Sequence, residues 1–235
     1  KGRNAKIVGN NFMALARLLK DGPAVDELEV NYKYVIAPDG VPQALGDSLV
    51  GLDIEWDKED SLASVQVSKA PGDASFFPAH PDVLGQLDLF LQGCEVVTWN
   101  GPGDLLRLRK HGVNFKIAHD GMMAAYVLQL ASQGLKPNSR EWLGANIEDF
   151  KDVFADGFEP TPEGIHYACA DADWTLRTSM RLLEEVDKAG LRPVYDLGIR
   201  ALNLSVDMME HGVLIDRSAL SELDAFLRDQ IDTAI

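Results

Sequence analysis

The chain has 235 residues, 46% of them hydrophobic, which suits one large domain, or one domain with an appendage, around a real core. Its 37 acidic against 22 basic residues give a formal net charge of −15, which argues against a surface that coats nucleic acid, because phosphate contacts need lysine and arginine. No apolar run reaches the roughly 18 residues of a membrane span, the first residues lack a signal peptide's layout, and Cys94 and Cys169 form no metal or redox spacing. Reduced core thiols in a cytoplasmic protein (host cytoplasm for a viral source) are expected, and the start without methionine reads as internal or trimmed.

In chain order, apolar residues at helical spacing predict a helix over residues 6–20, ended by Asp21-Gly22-Pro23. Residues 30–36 read as a short strand, Pro38-Asp39-Gly40 as a turn, and residues 43–49 as a short helix. Strands follow over residues 50–56 and 62–68, which suggests a meander. An amphipathic helix over 82–91, a strand over 95–98 and a helix over 103–110 come next, the last stopped by Gly112. Residues 117–120 lead into a helix through 130. Further helices are predicted over 135–143 and over 163–183, the second continuing toward residue 188. After Gly190 only helices remain: residues 194–210, with Pro193 in the first turn, and another that Asp216 or Ser218 can cap. The fold class is α/β, with helices packed on a mixed sheet and a short all-α segment after it.

Three pieces could carry chemistry. Asp53 and Glu55 sit two apart on a strand, so their carboxylates share a face and need solvent, protons or a cation. Hard divalent ions with oxygen ligands suit them, although a solvated strand face explains the pair alone. Tyr167 and Asp171 are four apart on a helix and share a face; a half-buried tyrosine beside a surface acid is the ordinary explanation. Asp173, rotated away, reads as a solvated or structural acid. Asp104 follows the turn Trp99-Asn100-Gly101-Pro102-Gly103, where an acid at a helix start also answers the helix dipole. Asp120 reads as a helix N-cap.

The order of the pieces is more specific than any one of them. Leu52-Asp53-Ile54-Glu55, then Asn100 to Asp104, then Tyr167-Ala168-Cys169-Ala170-Asp171-Ala172-Asp173-Trp174-Thr175-Leu176 resemble the three motifs of the 3′→5′ exonuclease domain of family A DNA polymerases, the bacterial DNA polymerase I type. His119-Asp120-Gly121-Met122-Met123 is similar to that family's Asp-Thr-Met helix start, with Gly121 in place of threonine. Met209-Glu210-His211-Gly212-Val213-Leu214-Ile215-Asp216 is similar to the turn that opens the polymerase region. The likeness spans about residues 30–190, and the stretch 69–80 departs from the expected length.

The resemblance implies a ribonuclease H-like sheet and a proofreading domain over residues 1–190, with residues 1–30 unassigned. Residues 191–235 would begin the polymerase or thumb region. It also implies two divalent cations, Mg²⁺ or Mn²⁺, held by Asp53, Glu55, Asp104 and Asp171, with Tyr167 orienting the attacking water beside Glu55. The substrate would be a single-stranded or frayed DNA 3′ end, released as nucleoside 5′-monophosphates. A polymerase module on the same longer chain would be the partner, with no membrane contact. Asn100, Trp99 and Leu62 are candidate contacts to the terminal nucleotide, although packing also explains Trp99 and Leu62. Two alternatives stay open: a ribonuclease D-like exoribonuclease, and a silent exonuclease fold used as a structural module.

Overall fold

A computed structural model of the chain describes residues 30–43, 48–59, 61–145, 147 and 158–234. The helix expected over 6–20 and its closing turn lie outside the described residues. So do residues 44–47 of the helix expected over 43–49, while Ser48 and Leu49 belong to a strand.

Six strands form one sheet: β1 (Asn31–Tyr34), β2 (Ser48–Trp56), β3 (Leu62–Ala70), β4 (Asp73–Pro78), β5 (Cys94–Thr98) and β6 (Ile117–Asp120), in the order β1-β4-β3-β2-β5-β6. The antiparallel meander is β2-β3-β4, its third strand absent from the sequence reading, while β1 joins β4, and β5 and β6 extend from β2, all in parallel. Residues 69–80, read from sequence as an added stretch, are largely a strand: Pro71-Gly72 makes the turn, Gly72 at φ 79°, and β4 returns along β3. The short run Ala74-Ser75-Phe76-Phe77 is too brief to show an alternation.

Among the described residues the α-helices are α1 (Pro81–Gln92), α2 (Gly101–Lys110), α3 (Gly121–Val127), α4 (Leu135–Leu143), α5 (Pro162–Lys188), α6 (Arg192–His211) and α7 (Arg217–Ala234). Alternation along β2 divides the layers. Val50, Leu52 and Ile54 point into a core with Val83, Leu87 and Leu91 of α1 and Leu105 and Leu108 of α2. Gly51, Asp53 and Glu55 face the other way, toward α5. That helix has 27 residues, is capped by the Thr161 hydroxyl on the Gly164 amide, and presents small residues (Ala168, Ala172, Thr175) among its buried positions. The closing helix α7 takes its start from Asp216, whose carboxylate accepts from the Ser218 and Ala219 amides. No described helix is long and apolar enough to cross a membrane.

Candidate active site

The site is built where β2 runs out beneath α5. A Cβ on Gly51 would lie 2.5 Å from the Ala172 carbonyl oxygen and 2.7 Å from Leu176 Cβ, so glycine is what lets α5 come down onto the strand. Two and four residues further along the same face stand Asp53 and Glu55; Asp171 immediately precedes Ala172. One carboxylate oxygen from each of Asp53, Glu55 and Asp171 lies within 4.8 Å of the others. Tyr167, one helical turn before Asp171, is buried beside them.

Asp104 arrives from α2, in that helix's first turn. The helix begins at Gly101, two residues earlier than the spacing predicts, because Asn100 turns the chain in the left-handed region at φ 66°. Asp120 fixes that turn. Its carboxylate accepts from the Gly101 amide and the Thr98 hydroxyl at 2.9 Å each, and it caps α3 through the Met123 amide at 2.9 Å. The expected N-cap is therefore also the clasp between the start of α2 and the start of α3. Asp104 stays outside the close group of three, but its charge acts on both Asp53 and Glu55.

Glu55 and Asp171 are buried and Asp53 and Asp104 half-buried, and acids this close and this shielded cannot all ionise without a cation. Burial first, then the Glu55, Asp171 and Asp104 charges, push Asp53 well above the ordinary carboxylate range. Burial and the Asp171 charge push Glu55 up to about 8, with Lys136 opposing. Asp104 is pushed up to about 8 by burial and the Asp120 charge, with Arg107 opposing. Burial and the Asp171 charge also raise Tyr167, which stays a phenol at neutral pH. An all-oxygen donor set under this mutual repulsion fits a hard divalent ion.

The remaining expected positions divide. Leu62 is half-buried against the α1–α2 core and sits opposite Trp56, one residue past Glu55. Asn100 is exposed and lines a cavity of about 600 Å³ together with Met123, Gln133 and Leu202. Trp99 is half-buried and used in packing: its ring lies against Gly121, and its indole N–H donates to the Gln133 carbonyl at 2.9 Å. Any side chain at 121 would collide with that ring, which explains the departure from threonine there. Asp173 is not solvated. It is fully buried, accepting from the Gly72 amide at 2.9 Å and the Tyr32 hydroxyl at 3.0 Å, with Arg177 at 3.4 Å. Its structural role holds, and it ties α5 to the β3–β4 turn.

Sequence reasoning missed Lys136, in the first turn of α4. Its ammonium is 3.5 Å from Asp171 and donates to the Tyr167 hydroxyl, with the side chain only 15% exposed. It also missed Arg107, whose guanidinium lies 4.4 Å above the half-exposed Trp56 ring at the end of β2. A lysine in a first helical turn, against the dipole's preference for acids, was the signal available for Lys136.

No family model matches the chain. DNA polymerase I of Rhizobium leguminosarum is 32% identical over 158 residues, covering 62% of this chain; the chain spans 16% of that relative's length. Among solved structures, the POL domain of Pol1 from M. smegmatis, in complex with DNA primer-template and dNTP, aligns over 81% of this chain and 33% of its own, with TM-score 0.65 and 17% identity. Brucella melitensis NrnC with bound Mg²⁺ aligns over 77% of this chain and 92% of its own, with TM-score 0.60 and 18% identity. Escherichia coli RNase D, an exoribonuclease involved in structured RNA processing, aligns over 69% and 46%, with TM-score 0.58 and 16% identity. The resemblance read in the motifs is thus met in both sequence and fold: the chain has the ribonuclease H-like fold of the 3′→5′ exonucleases, and in sequence it is similar to a stretch of DNA polymerase I.

Proposed function

We propose that the chain is a metal-dependent 3′→5′ exodeoxyribonuclease that proofreads for a family A DNA polymerase. The observation that carries this reading is the convergence of Asp53, Glu55 and Asp171 beneath Tyr167, with Asp104 coupled to them by charge. These four carboxylates would hold two divalent cations, Mg²⁺ or Mn²⁺. Such ions supply Lewis-acid stabilisation of the scissile phosphate and a water nucleophile ionised near neutral pH.

The protein's own groups do the rest. Asp53, on which both the Glu55 and Asp171 charges act, would be shared between the two halves of the donor set. Glu55 and Tyr167 orient the attacking water, and no covalent nucleophile is needed. The Tyr167 hydroxyl accepts from Lys136 and donates its own proton to Asp171, which holds the phenol fixed beside the acids. Asn100, exposed before α2, and Leu62, beside the end of β2, are assigned to the terminal nucleotide. Trp99 is left to packing. The product is a nucleoside 5′-monophosphate from a frayed or single-stranded 3′ end, which is cheaper to deliver than a paired one.

The polymerase relative supports DNA as substrate and a polymerase module as partner. Residues 191–235 are read as the start of that module. Leu204 and Met208 on α6, and Leu223 and Leu227 on α7, are left exposed, as surfaces awaiting the rest of a larger chain would be. Free Cys94 and Cys169 suit a reducing cytoplasm. All four carboxylates are present, which weighs against a silent module. The likeness to RNase D keeps an RNA substrate as the second reading. Matched 3′-end-labelled DNA and RNA oligonucleotides with Mg²⁺ decide between them: faster release of mononucleotide from DNA is expected, and faster release from RNA would overturn the DNA assignment.

A further inference from the structure

We propose that Lys136 is a built-in third cation of this site, placed to contact the scissile phosphate beside Tyr167; the proposal rests on the nuclease reading above. Lysine is almost never buried unless paired, and here the side chain is 15% exposed among acids. The ammonium reaches Asp171 at 3.5 Å, donates to the Tyr167 hydroxyl and lies 4.2 Å from that ring's centre. Its charge acts on Asp53 and Glu55 as well.

Its position runs against local preference. Lys136 occupies the first turn of α4, where the helix dipole disfavours a cation, and that turn holds no acid. The turn is nonetheless held firmly. The Asn138 side-chain amide donates to the Ser132 and Gly134 carbonyls at 3.0 and 2.7 Å. The Ser139 hydroxyl pairs with Thr178 of α5 at 2.7 Å, in the buried seam between the helices. A charge carried into an acidic cluster by a fixed backbone, at a cost to its own helix, points to use at the site.

The charge balance says what the use is. Four carboxylates offset two divalent ions, and the phosphodiester then adds negative charge that grows as water attacks. Lys136 supplies the matching positive charge without dissociating with the metal. The ammonium is a three-proton donor held between the Tyr167 oxygen and Asp171; with that carboxylate turned to an ion, the ammonium would turn toward a non-bridging phosphate oxygen.

The test uses the full chain and its Lys136→Met and Lys136→Arg variants, with thermal midpoints, Mn²⁺ affinity by calorimetry, and single-turnover release from a 3′-labelled single-stranded DNA. Lys136→Met is expected to bind Mn²⁺ tighter, on the order of three- to tenfold, because a neighbouring positive charge is gone. At saturating Mn²⁺ its rate should fall roughly 100-fold, the scale of losing one transition-state donor. Lys136→Arg should recover part of that loss. A Lys136→Met rate equal to that of an active parent chain would overturn the proposal alone. So would weaker Mn²⁺ binding together with a lowered thermal midpoint, which would make Lys136 a strut between α4 and α5. A parent chain that binds Mn²⁺ but cleaves nothing would overturn the nuclease reading and this proposal with it.

Discussion

Gly51 of β2 lies directly under Ala172 of α5, so close that a Cβ on the glycine would sit 2.5 Å from the Ala172 carbonyl oxygen. The contact sets the height of α5 above the sheet, and Asp171 and Tyr167 ride on that helix. Gly51→Ala is expected to lift α5, cost about 1–3 kcal/mol as an overpacked core does, and separate Asp171 from Asp53. Its thermal midpoint and its Mg²⁺-dependent cleavage should fall together. Full cleavage in that variant would show that the helix height does not set the site.

The acids of the site make stability without metal depend on pH. Glu55 is raised from 4.5 to about 8 in the folded chain, and Asp104 from 3.8 to about 8. The folded state therefore holds protons that the unfolded state has already released, and stability falls as pH rises from about 4.5 toward 8. The loss across the cluster is on the order of a few kcal/mol. Denaturation midpoints in EDTA should be higher at pH 5.5 than at pH 8.5, and Mg²⁺ should restore more stability at pH 8.5. The reverse order of the two EDTA midpoints would contradict the assignment of raised carboxylates.

Asp173 and Asp171 are two residues apart on one helix and should behave oppositely. Asp173→Ala leaves Arg177 buried without its carboxylate and frees the Gly72 amide and the Tyr32 hydroxyl from their acceptor. A loss of about 3–5 kcal/mol in urea unfolding is expected, with Mn²⁺ affinity little changed in the folded protein. Asp171→Asn should weaken Mn²⁺ binding strongly and leave the urea midpoint near that of the parent or above it.

Much of this was legible in the sequence. Alternation and turn residues located β2, β3 and β5, and 3.6-residue spacing located α4 to the residue. Of the four carboxylates the motifs named, Asp53, Glu55 and Asp171 converge and Asp104 stays outside that close group. What the sequence hid depends on tertiary contact. β4 is too short to show a period, and its strand state comes from pairing with β3. Gly51 looks like any strand glycine until α5 is laid on it. Asp173 looked free to be solvated because its partners, Gly72 and Tyr32, lie 101 and 141 residues away. Lys136 enters the site from a separate helix, which no motif spacing encodes.

The formal charge of −15 bears on how the chain holds nucleic acid. With few basic side chains to displace counterions, binding of single-stranded DNA by this chain should be weak and shallow in salt, with a log–log slope of about −2 or less in magnitude. It should need a divalent ion, and Ca²⁺ in place of Mg²⁺ is the suitable probe in an anisotropy titration. A steep slope would reveal a basic track that the described surface does not lead us to expect.

The most direct measurement is mononucleotide release from a 3′-labelled single-stranded DNA by the chain and by its Asp53→Ala variant, each with Mg²⁺, alongside thermal unfolding in EDTA. Asp53 faces both Glu55 and Asp171, so its removal should abolish digestion, by about 1,000-fold or more if both ions depend on it. It should also leave the thermal midpoint unchanged or raised, because it relieves like-charge repulsion. Undiminished release by Asp53→Ala would contradict the metal-nuclease account.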